Sequence, residues 1–152
     1  MKSIKTLLAA LAIGLAVNFS SPTQAHAQPP RPLSLVEQDA YTLDGLTALN
    51  AVCAIYLGRE PVEASIKHYR EGQDYVSVLF TQAYGSSYPE TYRSITGQTP
   101  TEDFETHLGA VSKNLNSQPA DNVLGVCSLT YKQLEAMVAK LQAIAKSRAL
   151  MN

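Results

Sequence analysis

The chain has 152 residues, of which 45% are hydrophobic and 16% are charged, and its formal net charge is −1. This balance is typical of one globular domain and excludes both a membrane-embedded bundle and a largely disordered chain. Basic residues form no stripe, so the phosphate-neutralising contacts that drive nucleic-acid binding are missing, which excludes nucleic acid as a partner.

The N-terminal segment, residues 1–27, has the three parts of a secretory signal peptide. Lys2 and Lys5 give a positive start, residues 7–17 form a short apolar run, and Ala25 and Ala27 have the spacing that a signal peptidase reads. The apolar run is shorter than the roughly 18 to 20 residues that span a bilayer, which predicts no stable membrane insertion after cleavage. We therefore expect a periplasmic or secreted protein. Residues 28–33 predict an extended proline-rich leader, and residues 34–152 predict a single helical domain.

The first predicted helix runs from Leu35 to Leu57. Ser34 and Glu37 match a capping box, in which each side chain bonds the other residue's backbone N–H. Apolar residues then recur at intervals of three and four, interrupted by Asn50, and Gly58 offers the left-handed residue that ends a helix.

The second predicted helix has Pro61 in its first turn and the same spacing as far as Tyr84, with Gln73 at one apolar position. Gly72 lies in its middle. Because glycine inside a helix is destabilising by about 1 kcal/mol, one long helix and two short collinear helices are both compatible with the pattern.

The remaining helices follow a glycine–serine break at residues 85–87. Ser87 caps a predicted short helix that Gly97 ends, and Thr99, Pro100 and Glu102 predict the start of a longer helix that runs to Asn116. Residues 118–122 predict a loop, and the last helix is predicted to begin near Thr130. Basic residues near its end suit the negative pole of the helix dipole; these are Lys140, Lys146 and Arg148.

Two cysteines, Cys53 and Cys127, remain after processing. Cysteines in an exported chain favour a disulfide, whereas redox enzymes place theirs a few residues apart. In an up-down bundle the end of the first helix and the start of the last lie at the same end of the molecule. We therefore predict an all-α fold, a four-helix or five-helix up-down bundle stapled by one disulfide between Cys53 and Cys127.

Candidate catalytic and metal-binding residues are few. His68 and His107 lack a second ligand at helical spacing, so we interpret both as surface histidines and predict neither a metal site nor a cofactor. Asp39 and Asp44 flank the apolar face of the first helix, and we expect both to be solvated. No serine lies in a nucleophile motif, so we predict no catalytic residue and no enzyme.

Tyrosine is the one residue type whose distribution suggests a role. Tyr84, Tyr88 and Tyr92 repeat every four residues across the glycine–serine break, and tyrosine is enriched at protein interfaces. Two interpretations stay open, rings that close the end of the bundle and rings that form an interaction surface.

The sequence thus predicts a small exported protein that acts by binding another periplasmic or envelope protein, as an inhibitor, immunity-type, chaperone-like or envelope accessory factor. The alternative is a carrier of a small apolar ligand in the bundle core, where Asn50 and Gln73 would orient the ligand.

Overall fold

The computed structural model describes residues 31–151, which form five helices and no strand. The predicted signal peptide, and the leader as far as residue 30, lie outside the described residues. The predicted all-α fold is confirmed, with the five-helix count. The helices are α1 (Leu35–Gly58), α2 (Ala64–Tyr84), α3 (Tyr88–Thr96), α4 (Pro100–Asn116) and α5 (Ala120–Met151), and they lie in one compact unit, Leu33–Asn152.

Local capping signals place three of the helix starts correctly. Ser34 and Glu37 form a reciprocal capping box at α1, with Ser34 N donating to Glu37 Oε2 over 2.8 Å. Thr99 and Glu102 form a second box at α4, and the Ser87 hydroxyl caps α3. These starts are predictable because both partners of each bond lie within one helical turn.

Of the two glycines singled out in the sequence, Gly58 differs from its predicted role and Gly72 decides between the two alternatives left open. Gly58 stays helical, and the left-handed residue that ends α1 is Arg59, with a φ of 55°. Helix α2 runs through Gly72 without a break. It begins at Ala64, so Pro61 precedes the helix and does not lie in its first turn. A Cβ added at Gly72 would lie 2.9 Å from Thr47 Cγ2, so this glycine permits the close approach of α2 to α1.

The predicted start of the last helix is wrong by ten residues. Helix α5 begins at Ala120, and the Pro119 carbonyl accepts from the amides of Asn122 and Val123 over 3.0 and 3.1 Å. A buried stripe at positions 123, 126, 127 and 130 holds this first part against the bundle and outweighs the helix-weakening Gly125. Cys127 therefore lies inside a helix, not before one.

Two long-range contacts fix the direction of α5. Cys53 and Cys127 form the predicted disulfide, with their α-carbons 5.6 Å apart, and join the end of α1 to the first part of α5. Lys140 Nζ bonds Asp39 Oδ2 over 2.6 Å, and this joins the later part of α5 to the start of α1. Helix α5 is therefore antiparallel to α1.

The core lies between the three long helices α1, α2 and α5, with α3 and α4 covering α1 and α2. Its fully buried members include Leu43 of α1, Phe80 of α2 and Leu141 of α5. Helix α1 is long and apolar enough to cross a membrane by length and composition alone, but 56% of that segment is buried within the bundle.

Candidate functional site

Tyr84, Tyr88 and Tyr92, for which closure of the bundle end and an interaction surface both stayed open, lie largely inside the bundle. Tyr88 and Tyr92 are only 0% and 2% exposed, and Tyr84 is half-buried. Each hydroxyl donates to a carboxylate, from Tyr84 to Asp39, from Tyr88 to Asp44 and from Tyr92 to Asp103. The repeat of four residues therefore places three hydroxyls in a buried carboxylate–tyrosine cluster, which favours the interpretation of rings that close the bundle over that of an exposed surface.

Asp44 is the centre of this cluster, and it is 5% exposed rather than solvated. Its Oδ1 accepts from the hydroxyls of Tyr69 over 2.5 Å and Tyr88 over 2.8 Å, and from Gln73 Nε2 over 3.2 Å. The expectation of a surface carboxylate failed because these three donors, which come from other helices, cannot be seen in the sequence around Asp44. These hydrogen bonds offset the free-energy cost of burying the carboxylate.

Burial raises the pKa of the Asp44 carboxyl to about 6, although the hydrogen bonds from its tyrosines act in the opposite direction. The hydrogen bonds around Tyr69 can accommodate a proton on Asp44. Tyr69 Oη contacts both Asp44 Oδ1 and the Pro100 carbonyl, the latter over 2.9 Å, but a hydroxyl has one hydrogen to donate. When Asp44 is protonated it donates to Tyr69, and Tyr69 donates to Pro100. Both contacts are then hydrogen bonds.

Two further carboxylates are buried beside the cluster. Asp103 accepts from Tyr92 over 2.6 Å and lies 3.2 Å from His107 Nδ1, which also contacts the Asp103 carbonyl over 2.8 Å. Because a carbonyl only accepts, His107 Nδ1 carries the hydrogen. Asp39, also expected to be solvated, is 7% exposed and accepts from Lys140.

The two histidines differ from their common interpretation as surface residues. His107 is 9% exposed and belongs to the buried cluster, so that interpretation is wrong for it. His68 is partly exposed, and its Nε2 lies 3.3 and 3.1 Å from the two carboxylate oxygens of Glu60. Within residues 31–151, no three His, Cys, Asp or Glu side chains come close enough together to hold a metal ion.

A half-open cleft of about 240 Å³ lies between α1, α2 and α5, and we refer to it as the tyrosine cleft. Val76, Leu134 and Val138 provide its apolar lining. Tyr75 and Tyr131 also line it, although they remain 53% and 55% exposed. The polar and small residues of the lining are Thr47, Asn50, His68, Gly72 and Glu135.

The tyrosine cleft combines aromatic, polar and apolar groups. Two aromatic rings, an imidazole, an amide and a carboxylate surround an apolar lining, a combination common where a partner side chain or ligand is bound. A more open depression of about 520 Å³ lies near the end of α5, but its lining of Ala83, Ile144, Arg148 and their neighbours holds no aromatic ring.

Sequence reasoning missed both Tyr75 and Tyr131. One signal was present, since Tyr75 follows the polar residues Gln73 and Asp74 and lies outside the apolar stripe of α2. Tyr131 carried no comparable signal, because it comes directly after Thr130, the predicted start of the last helix.

Comparisons with known proteins assign no relative to this chain: no family model, no curated protein and no solved structure matches it.

Proposed function

We propose that this chain is an exported binding protein, periplasmic or secreted, that holds a protein partner in the tyrosine cleft. The apolar run at residues 7–17 and the Cys53–Cys127 disulfide are compatible with export. Within the class of binding proteins, the candidate roles remain those of an inhibitor, an immunity-type protein, a chaperone-like factor or an accessory subunit of the envelope.

The observation that carries this proposal is the pair of exposed tyrosines on one cleft. Tyr75 and Tyr131 come from different helices, line the same depression and leave more than half of their surface in solvent. Tyrosine combines a large apolar ring with a polar tip and loses little entropy when it is ordered, so it is over-represented where interfaces gain most of their energy. The adjoining apolar lining gives a partner side chain a surface to bury.

A carrier of a small apolar ligand is the second candidate, and two observations disfavour it. The tyrosine cleft has a volume of about 240 Å³ and is half open, whereas small-molecule sites typically enclose about 300–1,000 Å³ and bury most of the ligand. Gln73, expected to orient a ligand, instead donates to Asp44 and to Tyr69 inside the core. Asn50 alone of that pair lines the cleft.

An acid-loosened chaperone is the least favoured of the binding roles. Its mechanism requires acid to weaken the fold, but protonation of Asp44 below a pKa of about 6 stabilises the folded state relative to the unfolded chain. The carboxylate at the centre of the bundle therefore opposes such loosening.

Site-specific photo-crosslinking in the native host tests the proposal. A benzophenone side chain is placed at position 75 or 131, and at the exposed position 113 of α4 as the control. We expect positions 75 and 131 to capture the same protein and position 113 not to capture it. Tyr131→Ala should remove most of the crosslink from position 75, whereas the exposed neighbour Lys132→Ala should leave it. Equal capture at position 113, or no capture at positions 75 and 131, would contradict the proposal.

A further inference from the structure

We propose that the tyrosine cleft receives a cationic side chain, an arginine or a lysine, from its partner. This inference rests on the proposed function and specifies the chemistry of the group that the partner inserts. Three features of the cleft carry it: its aromatic rings, its charge and its apolar lining.

The aromatic rings favour a cation. Tyr75 and Tyr131 line one narrow depression and are both more than half exposed, so a group inserted there lies near two π systems. A guanidinium or ammonium within about 6 Å of a ring centre is attracted by the negative face of the ring, and sites for cationic groups are commonly built from several aromatic residues. Tyrosines of an ordinary closed core, such as Tyr88, offer no such access.

The charge of the lining also favours a cation. Glu135 lies one helical turn after Tyr131 and lines the same cleft, which places an acid near an exposed ring. His68 also lines the cleft, and its Nε2 lies 3.1 Å from a carboxylate oxygen of Glu60. Among residues 31–151, no lysine and no arginine lines the cleft, so the lining holds no cationic Lys or Arg partner for Glu135.

The apolar lining suits the stem of such a side chain. Arginine and lysine bury their methylene groups against apolar surface while the charged end stays near water or a carboxylate. Val76, Leu134 and Val138 provide that surface, and the half-open mouth leaves the charged end in contact with solvent and with Glu135. A wholly apolar partner side chain would bury against the same lining but gain nothing from the charge of Glu135.

The test compares two peptides of nearly the same shape, one of which carries a cationic guanidinium and the other a neutral urea. The full mature protein is labelled with nitrogen-15 and titrated with the capped tripeptide glycine–arginine–glycine, and separately with glycine–citrulline–glycine. Contacts with two rings and one exposed carboxylate predict a dissociation constant on the order of 10 mM for the arginine peptide. We expect amide shifts centred on Gly72, Val76 and Leu134, and roughly five-fold weaker binding of the citrulline peptide.

Matched variants assign the effect to the carboxylate. Glu135→Gln keeps the shape of the side chain and removes its charge, and we expect it to weaken arginine binding by about three- to five-fold while leaving citrulline binding unchanged. Glu90→Gln on α3 removes an exposed carboxylate away from the cleft and should change neither affinity. Both variants are surface substitutions, and an unchanged amide spectrum outside the substituted region verifies their folding.

Two results would overturn the inference. One is equal affinity for the two peptides, and the other is the absence of saturable shifts at the cleft up to about 50 mM arginine peptide. If crosslinking from positions 75 and 131 succeeds while the peptides bind equally, the cleft docks its partner through apolar contacts and only the cationic specificity is lost. If crosslinking itself fails, the proposed function is lost.

Discussion

At the scale of single residues, the most consequential group is Asp44, because its charge is coupled to folding. Its pKa is about 6 in the folded protein against 3.8 for an ordinary aspartate, so the folded state binds the proton more tightly than the unfolded chain does. The stabilisation is complete below about pH 3.8 and is lost as the pH rises through the window to about 6. Above about pH 6, proton binding by Asp44 adds nothing to the free energy of unfolding.

Comparison with Asp44→Asn isolates this effect, because all other titrating groups are common to both proteins. Between about pH 7.5 and about pH 4.5, we expect the unfolding free energy of the natural protein to rise by about 2 kcal/mol relative to the variant. Urea unfolding at a series of pH values measures this difference. A difference that stays constant with pH would show that Asp44 titrates normally.

Lys140 gives the second prediction at this scale, and its role differs from that expected from the helix dipole. It lies well before the last turn of α5, which contains Arg148, and Nζ bonds both carboxylate oxygens of Asp39 over 2.7 and 2.6 Å. Lys140→Met leaves Asp39 buried with Tyr84 as its remaining donor, so we expect a loss of about 1–2 kcal/mol in unfolding free energy. Lys146→Met on the exposed face of the same helix is the control and should change little. Equal losses of unfolding free energy in Lys140→Met and Lys146→Met would show that the contact between Lys140 and Asp39 is not the cause.

At the scale of the helix, the end of α1 contains a correctable strain. Arg59 adopts a left-handed conformation with a φ of 55°, which is disfavoured for a residue that carries a Cβ. We expect Arg59→Gly to raise the unfolding free energy by about 0.5–1 kcal/mol, whereas Arg59→Ala, which removes the same charge and keeps the Cβ, should not. Thermal unfolding of the natural protein, Arg59→Gly and Arg59→Ala measures the difference. An equal gain in stability from Arg59→Ala would show that the lost charge, and not the relieved backbone strain, is the cause.

The contact of α2 with α1 is the other prediction for a helix pair. A Cβ at position 72 would meet Thr47 Cγ2 at 2.9 Å, so Gly72→Ala gains helix propensity but forces the helices apart. We expect Gly72→Ala to be destabilising by about 1 kcal/mol in the natural background. Thr47→Ser removes the obstructing methyl group and keeps the hydroxyl that donates to the Leu43 carbonyl, so the double variant should recover at least that loss. Additive effects of the two changes would contradict the close-contact explanation.

How well the sequence predicts a feature depends on how far apart in the chain the residues that determine it lie. The starts of α1 and α4 were predictable because a Ser34–Glu37 or Thr99–Glu102 pair acts within one turn. The burial of Asp44 was not, because it depends on Tyr69 and Tyr88, which lie 25 and 44 positions away. A carboxylate in an amphipathic helix is normally solvated. The hydroxyl groups that donate to Asp44 come close to it only when the helices pack together. The tyrosine cleft has the same origin, since it forms where residues of three helices meet.

At the scale of the whole molecule, the disulfide restricts the unfolded chain more than any other single bond. Cys53 and Cys127 are separated by 74 positions, and closing a loop of that length removes chain entropy that stabilises the fold by roughly 4 kcal/mol. We expect the double variant Cys53→Ala, Cys127→Ala to lose about 2–5 kcal/mol of unfolding free energy.

Reduction of the natural protein should reproduce most of that loss, because α1 and α5 keep their packing in the folded state and the gain in disorder belongs to the unfolded chain. Urea unfolding with and without dithiothreitol measures it, and the double variant serves as the control that reductant must not affect. The cleft lies between the two helices that this bond joins, so arginine-peptide binding to the folded, reduced protein tests whether the bond also shapes the cleft. Unchanged binding would assign the disulfide to stability alone, and that is the outcome we expect, because Cys53 and Cys127 do not line the cleft.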